Sequence, residues 1–302
     1  MRLRASVIFI DTQNPDIAIM LRIAIQAKGR LNEDCMGLLK DSGITTSGSS
    51  RKLVARAKGF PMDVLYLRDD DIPQAVAMGV ADIGIVGLNE MEEKAQDVNI
   101  VMPLGFSDCR ISLAVPKDAS YDGLQWFTGK RIATSYPRIL GKFLAEKGIE
   151  AEIHEIAGSV EVAPAVGMAD AIFDIVSSGG TLVQNGLVEV EQVFYSQAVL
   201  IATKGLDGQK LQELEQLKFR FQSIIGSRDM KYVLMNLPES AIEEAVKILP
   251  GMKSPTLLPL AAKGWYSLHA VIREEELWEK IEQLKTVGAE DILVLALENI
   301  VR

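Results

Sequence analysis

The chain reads as an α/β protein of two matched lobes followed by a ferredoxin-like module, and three observations carry that reading. Apolar strand-like runs alternate with helical patterns through about residue 205, the texture of a largely parallel sheet with helices on its faces. AVAMGVADIGIV (75–86) is echoed by APAVGMADAIFDIV (163–176). After residue 205 a polar helical stretch leads into a βαββαβ pattern.

Taken in order, residues 1–19 are expected to be a disordered extension or an upstream start, because Met20 directly precedes the strand-like LRIAI (21–25). Further strands are expected at DVLYL (63–67), ADIGIVG (81–87), ISLAV (111–115), KRIAT (130–134), AIFDIV (171–176) and AVLIA (198–202). In the echo, Gly79 and Gly167 each end a helix as C-caps, where positive φ is cheap only for glycine. Asp82 and Asp170 then open equivalent strands, which implies two open sheets facing each other across a cleft. KGLDGQKLQELEQLKFRFQSIIGSRD is a helical connector. YVLMNL (232–237), ESAIEEAVKIL (239–249), SPTLLPL (254–260), WYSLHAVI (265–272), EELWEKIEQLKTVG (275–288) and DILVLALENI (291–300) complete the last module.

A length of 302 residues fits two or three domains, and 48% hydrophobic content supplies their cores. No apolar run approaches the roughly 18–20 residues of a membrane span, and the N-terminal apolar run is too short for a good signal peptide. The expectation is a soluble cytoplasmic protein. A net charge of −9 argues against binding nucleic acid over the whole surface, though not against a local basic pocket. Cys35 and Cys109 are too few for a disulfide framework or a thiolate metal site. His154 and His269 are the only histidines, and both are expected to be structural or surface residues.

The segment 161–182 carries the most chemistry. It joins a short helix, an apolar strand ending near Asp174, and a loop of Ser177, Ser178, Gly179, Gly180 and Thr181 before a new helix. Hydroxyls, converging backbone N–H groups and a helix start at the carboxyl end of a strand suit a phosphate monoester. An ordinary polar turn has the same composition. Glu161 and Asp174 suit ribose hydroxyls or a magnesium ion; alternatively Glu161 is a first-turn acid following Ser159. Lys28 and Arg30, after the first strand, can face polyphosphate or form a solvated basic turn. In LRDDDIP (67–73), Arg68 stands beside Asp69, Asp70 and Asp71, which can cap the next helix, order Arg68 or meet a metal. Thr134, Ser135 and Tyr136 mark another strand end.

The run Glu161, Gly167-Met168-Ala169, Ile172, Asp174-Ile175 and Ser178-Gly179-Gly180-Thr181-Leu182 resembles the signature of the ATP phosphoribosyltransferase family, which opens histidine biosynthesis. The similarity continues in QAKGRL, RDDDIP, ADIGIVGLNE, CRISLAVP, GKRIATSYP, GSVEVAPAVG, ILPGMKSPTLLPL and GAEDILVLALENI. It covers the chain from about residue 20 to its end. The resemblance implies the long form of the enzyme, with two periplasmic-binding-protein-like catalytic lobes and a C-terminal regulatory domain. Lobe I is expected at 20–109 with 196–217, lobe II at 110–195 and the regulatory domain at 218–302.

The implied reaction transfers phosphoribosyl from phosphoribosyl pyrophosphate to N1 of the ATP adenine, with Mg²⁺ and release of pyrophosphate. Ser177 to Thr181 are expected to hold the 5′-phosphate, Glu161 and Asp174 the ribose, and Lys28, Arg30, Arg68 and Asp70 the ATP or pyrophosphate side. Histidine is the implied inhibitor, with Asn236, Thr256, Val271 and Asp291 as its candidate contacts. Family members often carry an acid near position 236, where this chain has a neutral Asn236. A homo-oligomer, dimer and hexamer, is implied, with no nucleic-acid or membrane partner. Two rivals are a non-catalytic two-lobed binding protein and a short-form chain that needs a separate regulatory subunit.

Overall fold

The computed structural model describes residues 20–46 and 53–301; the expected N-terminal extension, 1–19, lies outside them. Strand β1 (Leu21–Gln26) has Leu21, Ile23, Ala24 and Ile25 fully buried, as a central strand covered on both faces must. Helix α1 (Arg30–Asp41), strands β2 (Thr45–Thr46) and β3 (Val54–Lys58), and β4 (Met62–Leu67) follow. A 3-10 turn at Asp69–Asp71 runs into α2 (Ile72–Ala77), then β5 (Ile83–Gly87), α3 (Leu88–Lys94) and β6 (Val98–Pro103).

The chain then crosses to a second sheet with β7 (Cys109–Pro116), β8 (Arg131–Thr134), α4 (Pro137–Lys147), β9 (Glu152–Glu155), β10 (Ala171–Val176), α5 (Gly180–Gln184) and β11 (Leu187–Ser196). It returns as β12 (Ala198–Thr203) and continues into α6 (Gly208–Ile225).

The sheet orders are β2-β3-β4-β1-β5-β12-β6 and β11-β7-β10-β8-β9. Equating β1 with β8, β5 with β10 and β12 with β7 makes β4-β1-β5-β12-β6 the same series as β9-β8-β10-β7-β11. Each sheet thus receives one strand from chain that has just left the other, the topology of a periplasmic-binding-protein-like pair of lobes. The sheets are mixed, not largely parallel. β12 runs antiparallel to β5 and β6, and β7 antiparallel to β10 and β11. The cause is where the crossings lie. Arg110 pairs with Val176 and Ala198 with Gly87, so each incoming strand starts where its parallel neighbours finish and must run back along them.

The sequence echo is a structural one. The Asp82 carboxylate accepts the Arg22 N–H at 2.8 Å while the Asp82 N–H donates to the Arg22 carbonyl at 2.9 Å. Asp170 and Arg131 repeat both bonds at 2.9 and 2.8 Å. Arg22 and Arg131 also donate to the Gly79 and Gly167 carbonyls at 2.8 and 3.1 Å, and these glycines have φ of 70° and 74°. One expectation fails: before Gly167 there is no α-helix, only a 3-10 turn at Val160–Val162 and further turns. Pro164 has no N–H to give the Val160 carbonyl, so the first i→i−4 bond cannot form.

The chain divides into compact units at residues 215 and 216. The second unit contains β13 (Met230–Pro238), α7 (Ile242–Ile248), β14 (Thr256–Pro259), β15 (Trp265–Arg273), α8 (Leu277–Thr286) and β16 (Glu290–Ala296). Its antiparallel order, β14-β15-β13-β16, is ferredoxin-like. Val233, Met235, Leu237, Leu268, Ala270 and Ile272 form its core with Ala245 of α7 and Leu284 of α8. Among the described residues no helix is long and apolar enough to cross a membrane.

Candidate functional site

The carboxyl ends of the parallel strands converge where both chain crossings lie, the place open α/β sheets reserve for ligands. A cavity of about 240 Å³ opens there. Gln26, Arg30, Asp69, Asn89 and Glu90 line it from the first lobe, Ser107, Asp108 and Cys109 from the crossing, and Ile175 and Ser177 from the second lobe. Two loops of the first lobe are tied at its rim: the Ala27 N–H donates to the Leu67 carbonyl at 2.7 Å, and the Gln26 amide to Asp69 at 3.2 Å. Arg30 begins α1 beside them. Lys28 is exposed with no salt bridge among the described residues, whereas the exposed Arg68 is paired with Asp70 at 3.0 Å.

A buried polar network joins the lobes behind the cavity. The Tyr136 hydroxyl, from the second lobe, donates to Glu90 Oε1 at 2.9 Å and accepts from the Asn89 amide at 3.1 Å. Asn89 also bonds Glu90 at 3.2 Å, and Ser196 Oγ donates to Asn89 Oδ1 at 2.7 Å. Glu93 of α3 caps α4 of the other lobe, accepting the Arg138 and Ile139 N–H groups at 2.9 and 3.0 Å. Burial pushes the Glu90 carboxyl above its ordinary value against the Tyr136 hydrogen bond, and the charge of Asp69 adds to the rise. Burial and the adjacent Glu90 carboxylate push the Tyr136 phenol up as well.

On the second lobe, β10 ends in the hydroxyl loop. Ser177, Ser178, Gly180 and Thr181 are exposed, and the three hydroxyls make no hydrogen bond within the described residues. Gly179 caps α5 with φ of 81°. Arg110 anchors the loop's entry. It grips Glu189 with two bonds of 2.5 and 2.6 Å and donates to the Ser177 carbonyl at 3.1 Å. That pairing holds the Glu189 carboxyl below the usual range. Asp174 is half-buried and accepts the Ile175 N–H at 2.8 Å. Burial pushes its carboxyl up to about 6, opposed by that bond and assisted by the charge of Glu161.

This site lies inside a recognisable sequence family. The family described as HisG, ATP phosphoribosyltransferase, matches residues 68–223, and the family described as HisG, C-terminal domain, matches 227–299. The chain belongs to the ATP phosphoribosyltransferase family. A protein of that name from Bacteroides thetaiotaomicron is 57% identical over 282 residues, covering 93% of this chain and all of the relative. One from Cytophaga hutchinsonii is 50% identical over 286 residues, 95% of this chain and all of the relative. Among solved structures, the ATP phosphoribosyl transferase (HisG:HisZ) complex from Thermotoga maritima contains a chain 29% identical, with TM-score 0.57. That similarity covers 67% of this chain and 99% of that one.

Within this family member, the structure brings Arg30 and Ser177 to one cavity with Asp69, but leaves Lys28, Arg68, Asp70, Glu161, Asp174, Ser178, Gly179, Gly180 and Thr181 off the cavity wall; the charge of Glu161 helps to raise the Asp174 carboxyl. Sequence reasoning missed Asn89, Glu90 and Arg110 as site residues. The signal for the first two was present in ADIGIVGLNE, where a polar pair directly follows a buried strand. Arg110 gave none, because its partner Glu189 is 79 residues away.

In the second unit, Asn236 donates to Asp291 at 3.2 Å, and Asp291 is held at φ 49°. Thr256 pairs with His269 and Val271 with Tyr232, so these two share the sheet with Asn236 but not its contacts. Tyr232 and Ser267 engage the two ring nitrogens of His269 at 2.8 and 3.0 Å.

Proposed function

We propose that this chain transfers the phosphoribosyl group of phosphoribosyl pyrophosphate to N1 of the ATP adenine, releasing pyrophosphate. The supporting observation is the shared cavity: Ser177 of the hydroxyl loop and Arg30 of the cationic turn line one space between two lobes. The 5′-phosphate takes the free hydroxyls and N–H groups of residues 177–181, and Glu161 with Asp174 faces the ribose. Lys28, Arg30, Arg68 and Asp70 form the ATP and pyrophosphate side. The two substrates then come from different lobes, and aligning them supplies most of the catalysis. N1 attacks C1′ as the bond to pyrophosphate breaks. Cations of the first lobe stabilise the charge that develops on the leaving group.

Mg²⁺ fits this donor set. Among the described residues no group of three His, Cys, Asp or Glu side chains forms a metal cage, and Mg²⁺ ordinarily binds through one or two carboxylates plus substrate phosphates. Glu161 and Asp174 would hold it, and when bound it neutralises charge on the pyrophosphate. Lobes at 20–109 with 196–217 and at 110–195, and a regulatory unit from 218, complete the reading. Histidine acts on that unit through Asn236, Asp291, Thr256 and Val271, and the chain assembles as a homo-oligomer, dimer and hexamer. Dependence on cytoplasmic nucleotides gives a cytoplasmic location.

Mixing the protein with ATP, phosphoribosyl pyrophosphate and Mg²⁺, with and without histidine, tests chemistry and regulation together. The expected result is a new adduct absorbance that histidine suppresses. No adduct in either arm refutes the enzyme reading, and an adduct insensitive to histidine refutes the regulatory one. Activity only after adding a second protein would refute the long form.

A further inference from the structure

Glu90 has a geometry that substrate alignment alone does not require. It is 8% exposed, yet it lines the cavity with Asn89, with Ile175 at the end of β10 and with Ser177 of the phosphate loop. Its two oxygens are treated differently. Oε1 is fixed by the Tyr136 hydroxyl at 2.9 Å and the Asn89 amide at 3.2 Å. Oε2 has no hydrogen-bond partner among the described residues, and it remains accessible, since the only buried unpartnered side-chain oxygen or nitrogen among them is Gln26 Oε1. A carboxylate pinned by one oxygen and open at the other is oriented to receive a proton.

The reaction proposed above produces such a proton. When N1 of adenine bonds to C1′, the purine becomes a cation and its exocyclic N6 amine becomes acidic. While the charge remains, the ring is a good leaving group and the adduct reverts. Resting on that reading of the site, we propose that Glu90 Oε2 is the catalytic base that removes the N6 proton. The balance is complete within the substrates and the carboxylate. The N1 lone pair forms the bond to C1′, pyrophosphate leaves with the electron pair of the C1′–O bond, the N6–H proton passes to Oε2, and the N6–H pair becomes the C6=N6 imine of a neutral adduct.

The cavity supports this placement. At about 240 Å³ it falls below the roughly 300 Å³ of pockets that enclose a whole small ligand, and so takes one ring of the nucleotide. In this proposal the adenine base lies between Glu90 and Ser177, which line the cavity together. Tyr136 from the second lobe, Asp69 and Asp70 from the turn after β4, and Lys94 on α3 act on the Glu90 charge, and Arg30, Asp108 and Cys109 share the cavity with it. The carboxyl raised by burial is a stronger base than a solvated one.

The test compares the full-length protein with Glu90→Gln in the adduct assay across pH. Glutamine keeps an oxygen for Tyr136 and Asn89 but cannot take the proton. The expected result is kcat lower by about 100-fold, the low end for removing a general base, with KM for both substrates changed less than about threefold. In the wild type kcat falls as pH drops and the Glu90 carboxylate protonates; this acidic limb of kcat disappears in the variant, whereas protonation of Asp174 in the ribose site acts through KM for phosphoribosyl pyrophosphate. A kcat within twofold of wild type, a change confined to KM, or a retained acidic limb each overturns the assignment. If Glu90→Gln does not fold, Tyr136→Phe decides. Losing a hydrogen bond that holds the carboxyl down moves the acidic limb to higher pH, and an unmoved limb overturns the assignment. Failure of the wild type to form adduct refutes the function itself, whereas a normal wild type with an unaffected variant refutes only the role of Glu90.

Discussion

Asp174 provides a sharp test of how the site trades stability for charge. Its carboxyl rises from 3.8 to about 6 in the folded chain because burial disfavours the charged form and Glu161 repels it. A group whose folded value is raised binds more protons folded than unfolded between pH 4 and 6, so stability falls as pH rises through that window and is level above it. At about 1.36 kcal/mol per pH unit the full cost is about 3 kcal/mol. Because the side chain is only half-buried, about 1–3 kcal/mol is the expectation. Asp174→Asn keeps an acceptor for the Ile175 N–H and removes the charge. The variant should therefore be more stable than wild type by that amount at pH 7.5 and equal to it near pH 4, while losing affinity for phosphoribosyl pyrophosphate. Urea unfolding followed by circular dichroism from pH 4 to 8 measures the difference, with titration calorimetry for binding. A difference that is zero, of opposite sign or independent of pH would refute the reasoning.

The matched aspartates give a second test. The Asp82 side chain is 7% exposed and is shared by Arg22 and Lys210, whereas that of Asp170 is 34% exposed and, among the described residues, forms a salt bridge with Arg131 alone. Asp82→Ala should cost about 3 kcal/mol or more and Asp170→Ala about 1 kcal/mol in thermal unfolding; equal losses would contradict the burial argument. At Gly84 an added Cβ would lie 2.7 Å from Ile72 and 3.0 Å from Val76, so Gly84→Ala should destabilise by about 1–3 kcal/mol through overpacking, read as a lowered melting temperature. Arg110→Lys removes the two-pronged grip on Glu189 and the bond to the Ser177 carbonyl. KM for phosphoribosyl pyrophosphate should rise about tenfold, the equivalent of one charge-assisted hydrogen bond, with KM for ATP within twofold; a uniform rise in both would mean a general structural defect.

The buried strands were legible because their burial on both faces leaves continuous apolar runs, as in LRIAI and AIFDIV. The strands that escaped notice are peripheral. Strands β2, β6, β9 and β11 sit at sheet edges and β3 lies next to β2, and patterns such as VARAK, VNIVMP, EIHE and LVEVEQVFYS mix polar or charged with apolar residues because outer positions tolerate water. The missing helix before Gly167 was a local misreading of Pro164. The phosphate loop was visible as composition, since hydroxyls, glycines and a strand end lie together within a few residues.

The sequence by itself determined the elements whose cause is local or periodic. These are the buried strands, the glycine turns after α2 and before β10, the hydroxyl loop and the alternating core face of the last unit. Tertiary structure alone decided which strands run antiparallel, because that depends on where the chain crosses between sheets. It also decided the chemistry of Glu90. That carboxylate meets Tyr136 46 residues away, and its burial follows from residues of two lobes packing around it. No one-dimensional pattern records that packing.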